Sequence, residues 1–456
     1  MAELNLADEP LELLRAELVQ GGDSIRKALD MIDDLLEPPV EEPPVVEPPK
    51  EEPPTAYRAV PPELPRELID TWLPKPTGRV ISLRSGDDFQ TALMGLQDGD
   101  VVELEAGATW AGRFVLQPRE TRGGVVIIRS SRWTELPEGK RVGPEDAPKL
   151  ARIIGGSANR RTIETRPGAN GYRFIGVEVG LEDNVPAVVN TLIELELGSE
   201  RVIFDRCYIH GNPSQHLTRG VILNNARSAV IHSTIAECHG KGVDSQAILG
   251  YRGPGPFLIE NNRLEGSGEN IMFGGAGVGP DGLPPSDIVI RNNHIIKPLA
   301  WKGIWTVKNL LELKIAERVL IQDNIFENSW PGGQTGFCFN IKSENRNITT
   351  FPNLATRDVL ICNNRILNSR FGASIIGGAS TKEKTGEGRT SRVRLEENEF
   401  VFSEDEQYPR AFQLAFGVID LAIVNNEALR GRVMQGPSVV WDHANLQDVE
   451  FWGNQF

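Results

Sequence analysis

The chain has 456 residues, of which 39% are hydrophobic and 24% are charged, a balance that excludes both a disordered protein and a protein with long apolar spans. The net charge of −15 is concentrated in residues 1–75, which hold 18 acidic and 7 basic side chains, whereas the remainder holds 45 and 41. Nonspecific nucleic-acid binding needs a basic surface, so neither a nucleic-acid partner nor insertion into a membrane is expected.

Residues 1–36 have the pattern of an amphipathic helix. Asp8 is a suitable N-cap, and apolar residues recur every seven positions at Leu11, Leu18, Ile25 and Ile32. Gly21 and Gly22 could divide the segment into two short helices. A helix this short is marginal in water without a partner surface, so we expect the segment to dock on a larger assembly or to mediate homo-oligomerisation. It has no basic n-region and no apolar h-region, so no Sec signal peptide is predicted and secretion by that route is not expected.

Residues 37–77 form a Pro-rich acidic segment. Pairs of prolines stand at 38–39, 43–44, 48–49 and 53–54 with acidic residues between them. Proline fixes φ and removes a backbone donor, so this composition is incompatible with a helix or a central strand. The pattern predicts a stiff, extended polyproline linker between the helical segment and the rest of the chain.

A short motif recurs from about residue 78 to residue 456. It has two apolar residues, two polar residues, one slot that is mostly Asn, and a further apolar residue, as in LIENNRL (258–264) and LICNNRI (360–366). The slot is occupied in turn by Cys207, Thr234, Asn262, Asn293, Asn324, Asn364, Asn398, Asn426 and Asn454. Steps of 27 to 40 residues are typical of a solenoid.

Each copy of the motif follows a second strand-like run, such as GVILN (220–224) or FCFNIK (337–342), and no helical period separates the two. Strands that stack on their counterparts one coil later must run parallel, so residues 78–456 are predicted to form an all-β, right-handed parallel β-helix solenoid. Asn repeated in one slot suits an internal hydrogen-bonded ladder, with coils about 4.8 Å apart.

Two blocks, GVDSQAILGYRGPGPFLIENNRLEGSGENIMFGG (242–275) and the stretch from PSDIVIRNNHI to GGQTGF (285–337), carry a family resemblance. They resemble uncharacterised bacterial proteins of the pectin-lyase-like, right-handed parallel β-helix superfamily. The resemblance implies a protein that handles carbohydrate, as a lyase, a hydrolase or a phage tail spike. The acidic motifs of polygalacturonases and the Asp-His strand motif of pectate lyases are absent from the sequence, so their chemistry does not transfer.

Alternation along the strands predicts a polar column on one outer face. The residues expected to face solvent are Asn270, preceded by Glu269, and then Glu312, Lys314, Asn340 and Lys342. Glu269, Asn270, Asn340 and the turn residue Trp305 are predicted to bind a glycan. The rise of one coil is close to the length of one sugar ring, so a glycan could place one sugar on each coil. An aromatic face such as that of Trp305 could stack on a sugar.

The same column contains the candidate catalytic residues. Lys314 or Lys342 could act as the base of a β-elimination, with Glu312 as acid or orienting group. Retaining hydrolysis would need a second carboxylate about 5 Å away, for which Glu269 is the local candidate. The alternative is a cross-coil ladder of ion pairs among Glu312, Lys314 and Lys342 that keeps the surface soluble.

The remaining reactive residue types predict no cofactor. Four cysteines without CxxC spacing are expected to be reduced core thiols. His210, His216, His232 and His239 cluster in the sequence but match no metal-binding spacing, so no metal site is predicted. A bound calcium ion would be expected only if the protein were a lyase.

The sequence therefore suggests two functions of different classes. The first is a virion appendage or surface-attachment protein, located on a virion or an extracellular structure, whose β-helix binds a polysaccharide and whose residues 1–36 anchor it. The second is a polysaccharide lyase or glycoside hydrolase.

Overall fold

The computed structural model describes residues 59–155, 161–182, 188–378, 388–429, 438–441 and 446–455. The chain divides into two units, Met1–Glu52 and Pro53–Phe456, and every described residue lies in the second. The predicted helical segment 1–36 and residues 37–58 of the predicted linker lie outside the described residues and remain predictions. No helix in the described part of the chain is long and apolar enough to cross a membrane.

The second unit is a right-handed parallel β-helix, which confirms the predicted fold. Each complete coil contributes one strand to each of three sheets, in the order sheet A, sheet B, sheet C, and every strand pairs in parallel with its counterpart one coil away. Short turns suffice for this path because the next strand of each sheet begins only one coil further along.

The strands have the following bounds. Sheet A consists of β1 (Val80–Leu83), β2 (Val101–Leu104), β5 (Val126–Ser130), β8 (Asn170–Ile175), β11 (Glu200–Asp205), β14 (Ser228–Ile231), β17 (Phe257–Glu260), β20 (Ser286–Arg291), β23 (Ala316–Gln322), β26 (Thr356–Cys362), β29 (Ser391–Glu396), β32 (Ile419–Val424) and β35 (Gln447–Trp452). Sheet B consists of β3 (Thr109–Ala111), β6 (Ala151–Gly155), β9 (Val177–Leu181), β12 (Tyr208–His210), β15 (Thr234–Cys238), β18 (Arg263–Gly266), β21 (His294–Ile296), β24 (Ile325–Ser329), β27 (Arg365–Ser369), β30 (Glu399–Phe402) and β33 (Glu427–Leu429). Sheet C consists of β4 (Phe114–Leu116), β7 (Ile163–Thr165), β10 (Ile193–Leu195), β13 (Arg219–Leu223), β16 (Gln246–Gly250), β19 (Glu269–Phe273), β22 (Leu311–Leu313), β25 (Phe337–Lys342), β28 (Phe371–Ile376), β31 (Arg410–Ala415) and β34 (Ser438–Trp441).

The interior consists of apolar side chains stacked in columns. In sheet A the register places Phe174 directly on Phe204, with ring centroids 4.9 Å apart, and the column continues through aliphatic residues to Ile423. Each inward residue therefore contacts a similar side chain in the next coil, which keeps the packing dense. The four cysteines are free and buried, as predicted.

One helical turn covers the interior near the first coils. Asp88 caps the turn Phe89–Ala92 by accepting a hydrogen bond from the Thr91 N–H. Phe89 packs against Trp110 and Phe114 in the interior. A cap of this kind removes the open end of the apolar core from water, which repeat proteins require.

The Asn ladder lies at the turn between sheets A and B, and it is confirmed. In each rung one amide oxygen accepts two bonds from the preceding coil: Oδ1 of Asn364 accepts from the backbone N of Asn324 at 3.0 Å and from its Nδ2 at 2.9 Å. The same pattern joins Asn262, Asn293, Asn324, Asn364, Asn398, Asn426 and Asn454.

The rung before Asn262 differs from the predicted one. The ladder continues through Ser233, whose backbone N donates to Asn262 Oδ1 at 2.9 Å and whose Oγ accepts from the backbone N of Cys207 at 2.9 Å. Thr234 pairs instead with Arg263 on the neighbouring strand. The placement of Thr234 in the slot is therefore wrong by one residue, because two adjacent hydroxyl residues fit the motif equally well.

Residues 59–73 cross the outer face of sheet A from its last strand to its first coils; we call this segment the strap. Its backbone N–H groups bond to carboxylates of sheet A, beginning with Ala59 N to Glu450 Oε1 at 3.0 Å. Further along, Ile69 packs on apolar residues of β14, β17 and β20, and Leu73 packs near Val101. Residues 59–73 of the predicted linker are therefore held against the β-helix, because sheet A supplies acceptors for their free donors.

Candidate functional site

The outer face of sheet C brings together four of the predicted site residues. The register sets Glu312 on β22 directly beside Asn340 on β25. Lys314 and Lys342 lie two positions further along the same two coils. The predicted outward column is therefore present at these four positions, since side chains alternate between the two faces from Leu311 to Lys314 and from Phe339 to Lys342.

Glu312 is on this face but has no solvent-exposed surface, so the prediction that it faces solvent is wrong. Its Oε1 accepts a hydrogen bond from Asn340 Nδ2 at 2.9 Å, and the Nζ atoms of Lys342 and Lys314 lie 3.4 and 3.7 Å from the same oxygen. Asn309 Nδ2 donates to Oε2 at 3.3 Å. The cross-coil ion pairs that the sequence left open as an alternative are therefore present.

Glu269 on β19 supplies a second buried carboxyl next to Glu312. Its Oε2 accepts a hydrogen bond from Gln246 Nε2 at 2.6 Å, whereas its Oε1 is buried without a hydrogen-bond partner among the described residues. Burial, followed by the charge of Glu312, raises the pKa of Glu269 from 4.5 to about 7, against the opposing effect of Lys308 and of the bond from Gln246. Glu269 therefore loses its proton near neutral pH.

Turn residues complete this cluster, and the sequence analysis missed them. Lys308 Nζ lies 2.5 Å from Asp244 Oδ1 and 3.7 Å from Glu269 Oε1. Glu344 Oε2 lies 3.1 Å from Lys342 Nζ and 3.7 Å from Lys314 Nζ. The only signal for Lys308 and Glu344 was their position next to β22 and β25, since alternation gives no direction within a turn.

Arg219 is a further residue of this face that the sequence analysis missed. It begins β13 and lies in register with Gln246 on β16 and, one coil on, with Glu269. Its guanidinium donates to Thr218 Oγ1 at 2.9 Å, and no carboxylate of the described residues lies within salt-bridge distance of it. Burial lowers the pKa of Arg219, which nearby acidic groups partly oppose.

A cavity of about 540 Å³ opens at Arg219. It extends along sheet C from β10 to the turn after β25, and its lining includes Arg161, Tyr251, Lys314 and Arg346. Removing a cation from water without a counter-ion costs free energy, and an anion bound in this cavity would offset that desolvation cost.

Asn270 is not a surface residue, which corrects its predicted role in binding a glycan. It is fully buried near the start of β19, where its Nδ2 donates to Leu264 O at 2.8 Å and to Ile296 O at 2.7 Å. Its Oδ1 accepts from Nζ of the fully buried Lys297, which also contacts three carbonyl oxygens of residues 266–268. The side chain turns inward because the strand alternation begins one residue later.

Tryptophans of the turns between sheets B and C line a second cavity. Trp330 is buried beside Trp301, whereas Trp305 is partly exposed and stacks on His239 with ring centroids 4.0 Å apart. Trp305 and Trp330 border a cavity of about 650 Å³ together with polar residues that include Lys241, Arg370 and Glu406. A sugar could stack only on the face of Trp305 opposite His239, so its role as a glycan contact remains a prediction.

The residues of sheet C do not fit calcium. Calcium takes six to eight oxygen ligands, whereas the two glutamates are surrounded by the ammonium groups of Lys308, Lys314 and Lys342. The histidines are also used singly: His210 contacts Glu178 and His239 contacts Glu237. Within the described ranges no group of three or more His, Cys, Asp or Glu side chains is placed to hold a metal ion.

No family model and no curated protein matches this sequence. Solved structures do match. The catalytic unit of a thermostable GH87 α-1,3-glucanase from Streptomyces thermodiastaticus has a TM-score of 0.51 at 13% identity and covers 86% of this chain and 71% of its own. An alginate lyase from Paenibacillus sp. str. FPU-7 gives 0.45 at 13% over 82% and 99% of the chains, and the tailspike protein of E. coli bacteriophage HK620 gives 0.40 at 11% over 82% and 59%. At these identities the similarity establishes the fold, which is the one that the superfamily resemblance predicted.

Proposed function

We propose that this protein binds an acidic polysaccharide along the outer face of sheet C. The observation that carries the proposal is Arg219, a partly buried guanidinium without a carboxylate partner among the described residues, at a cavity of about 540 Å³. A carboxylate or sulfate of the glycan would supply the missing anion through charge-assisted hydrogen bonds.

The surroundings of Arg219 suit an extended ligand. Polar side chains continue from Arg219 through Gln246 to the cluster of Glu312, Lys314 and Lys342 on consecutive coils. Coils repeat about every 4.8 Å, close to the length of one sugar ring, so successive sugars can contact successive coils. The parallel β-helix is also the fold of carbohydrate-active neighbours, which supports this class of ligand by analogy.

Cleavage of the same glycan is the second candidate, and the Glu269–Glu312 pair favours it because it holds a proton that is exchangeable near neutral pH. In β-elimination from a uronate, Lys314 or Lys342 would remove the proton next to the carboxylate. The leaving glycosidic oxygen would take up a proton, and a carbon–carbon double bond would form.

The geometry supports binding better than cleavage. Both lysines are ion-paired with Glu312 and Glu344, and neither Glu269 nor Glu312 has exposed surface. Retaining hydrolysis needs two carboxyls about 5 Å apart on either side of a sugar, whereas burial shields both Glu269 and Glu312 from a sugar. The catalytic roles of Lys314, Glu312 and Lys342 remain predictions.

Arg219→Gln is expected to weaken binding to polygalacturonate or alginate at least about tenfold, because it removes the cation that a carboxylate would meet in the cavity. Binding would be measured by titration calorimetry in low salt, with neutral dextran as the comparison glycan. The matched control is Arg84→Gln, an exposed arginine in the turn after β1 that makes the same change of charge.

Equal binding by Arg219→Gln, Arg84→Gln and the wild type would contradict the placement of the ligand. The same incubations report turnover through the ultraviolet absorbance of unsaturated ends. A rise in that absorbance that Lys314→Met abolishes would support cleavage in place of simple binding.

We further propose that the protein binds polysaccharide as a virion appendage or extracellular surface-attachment protein. It is supported by the heptad pattern of residues 1–36, which suits docking to a larger assembly, and by the Pro-rich segment that follows. Immunogold electron microscopy of the native source should locate the protein on particles or on a cell surface. Labelling confined to soluble material would argue against this role.

A further inference from the structure

One column of sheet A has an unusual backbone and an alternating charge. Consecutive strands from β20 to β32 place a residue with φ between 50° and 60° at the same register position: Asp287, Arg318, Asp358, Arg392 and Asp420. The arginines bond to the aspartates of the preceding rungs. Arg318 reaches Asp287 at 2.8 and 3.0 Å, and Arg392 reaches Asp358 at 2.6 Å with both nitrogens.

The strap bonds to this column through its backbone. Val60 N donates to Asp420 Oδ1 at 3.1 Å, Glu63 N to Asp358 Oδ1 at 3.0 Å, and Arg66 N to Asp287 Oδ1 at 2.9 Å. The donors are three residues apart, and prolines at 61, 62 and 65 stand between them.

The spacing of the N–H donors along the strap matches the spacing of the aspartates across sheet A. Three residues of a polyproline II strand rise about 9.3 Å, one full turn of that helix. The aspartates are two strands apart, a distance of about 9.6 Å at the usual separation of β-strands. A polyproline II strand laid across sheet A therefore turns one N–H group toward each aspartate in succession.

We propose that the column from Asp287 to Asp420 is a recognition site for a polyproline II strand with a free backbone N–H at every third residue, and that the strap occupies it in cis. The site selects a strand by the spacing of its backbone N–H donors and tolerates proline between them. The left-handed backbone orients each aspartate toward the strap, and the arginine of the next rung also holds the carboxylates of Asp287 and Asp358.

The upstream segment has the wrong period for this site. Its proline pairs recur every five residues, at 38–39, 43–44, 48–49 and 53–54, so its donors cannot stay in step with rungs that require three. The site is therefore specific for the strap among the Pro-rich stretches of this chain.

The test is hydrogen exchange of the full chain, resolved to single residues by mass spectrometry. In the wild type the amides of Val60, Glu63 and Arg66 should be protected. The triple variant Asp287→Gly, Asp358→Gly, Asp420→Gly keeps the left-handed backbone but removes the acceptors, so these three amides should exchange at least about tenfold faster.

Two further variants separate the acceptor from its charge and from overall stability. The triple Asp→Asn variant keeps an acceptor in a residue that tolerates positive φ, so its exchange should stay within about threefold of the wild type. Asp448→Gly changes the next left-handed position of the column, which bonds to no described strap residue, and should also leave the rates unchanged. Unprotected wild-type amides, or equal rates in the Gly and Asn triples, would overturn the proposal.

Discussion

Asn364→Ala is expected to lower the free energy of unfolding by about 3–5 kcal/mol. The substitution removes the oxygen that accepts two bonds from Asn324 and leaves the buried backbone N–H of Asn324 without its acceptor, whereas Asn324 Nδ2 keeps Ile290 O and Gln322 O. It also removes the Nδ2 donor to Ile321 O, Cys362 O and Asn398 Oδ1. Equilibrium unfolding in urea measures the loss, with sheet content followed by circular dichroism.

Asn353→Ala is the matched control, since Asn353 is exposed in the turn before β26 and only its backbone carbonyl accepts a bond. It should change the free energy of unfolding by less than about 0.5 kcal/mol. Asn364→Asp keeps the shape but offers a carboxylate where a donor is required, so it should be destabilising as well. A midpoint for Asn364→Ala equal to that of the control would show that the ladder does not stabilise the stack.

Glu269→Gln is expected to stabilise the protein above pH 7 by up to about 3 kcal/mol and to have little effect near pH 4.5. The folded-state pKa of Glu269 is about 7, whereas its ordinary value is 4.5. The unfolded chain therefore loses this proton first, and wild-type stability from this group falls as the pH rises from about 4.5 to 7. Glutamine carries no charge, so its burial beside Glu312 does not become less favourable as the pH rises.

Urea unfolding of both proteins between pH 4.5 and 8.5 measures this difference. Glu138→Gln, at an exposed position of the turn after β5, controls for the loss of one negative charge and should follow the wild-type curve. A constant difference between Glu269→Gln and the wild type across the whole range would contradict the raised pKa of Glu269.

The repeat spacing and the Asn slot were enough to predict the parallel β-helix. An amide that recurs in one position can bond to its own copy one coil away, so the residue type favours both the ladder and the parallel stacking. The error at Thr234 shows the limit of this reasoning. Both Ser233 and Thr234 carry a hydroxyl, and only the pairing of Thr234 with Arg263 identifies which one faces inward.

The candidate site was predictable to the extent that its residues lie on strands. Glu312, Lys314, Asn340 and Lys342 were identified because alternation within a strand assigns each side chain to a face. Asn270 lies near the start of β19, before the alternation begins, and was assigned to the wrong face. Lys308, in a turn, and Arg219, one residue before the predicted run, carried no directional signal.

The burial of Glu312 could not be predicted from its position on the outer face. Its exposure depends on the lysines of its own coil and the next one, which reach the same oxygen from both sides. The strap is a second case. Its prolines predict an extended backbone correctly, but the aspartates that bind it are separated from it by more than two hundred residues.

Local and repeated patterns thus predicted the coil and the ladder inside it, because both depend on a motif that recurs in every coil. The sequence indicated a second strand in each coil, and the tertiary structure added the third sheet. The protonation of Glu269, the absence of a described counter-ion at Arg219 and the position of the strap depend on which side chains meet across coils and turns of unequal length. Such contacts follow no repeat along the chain, so only the stacking of the coils determines them.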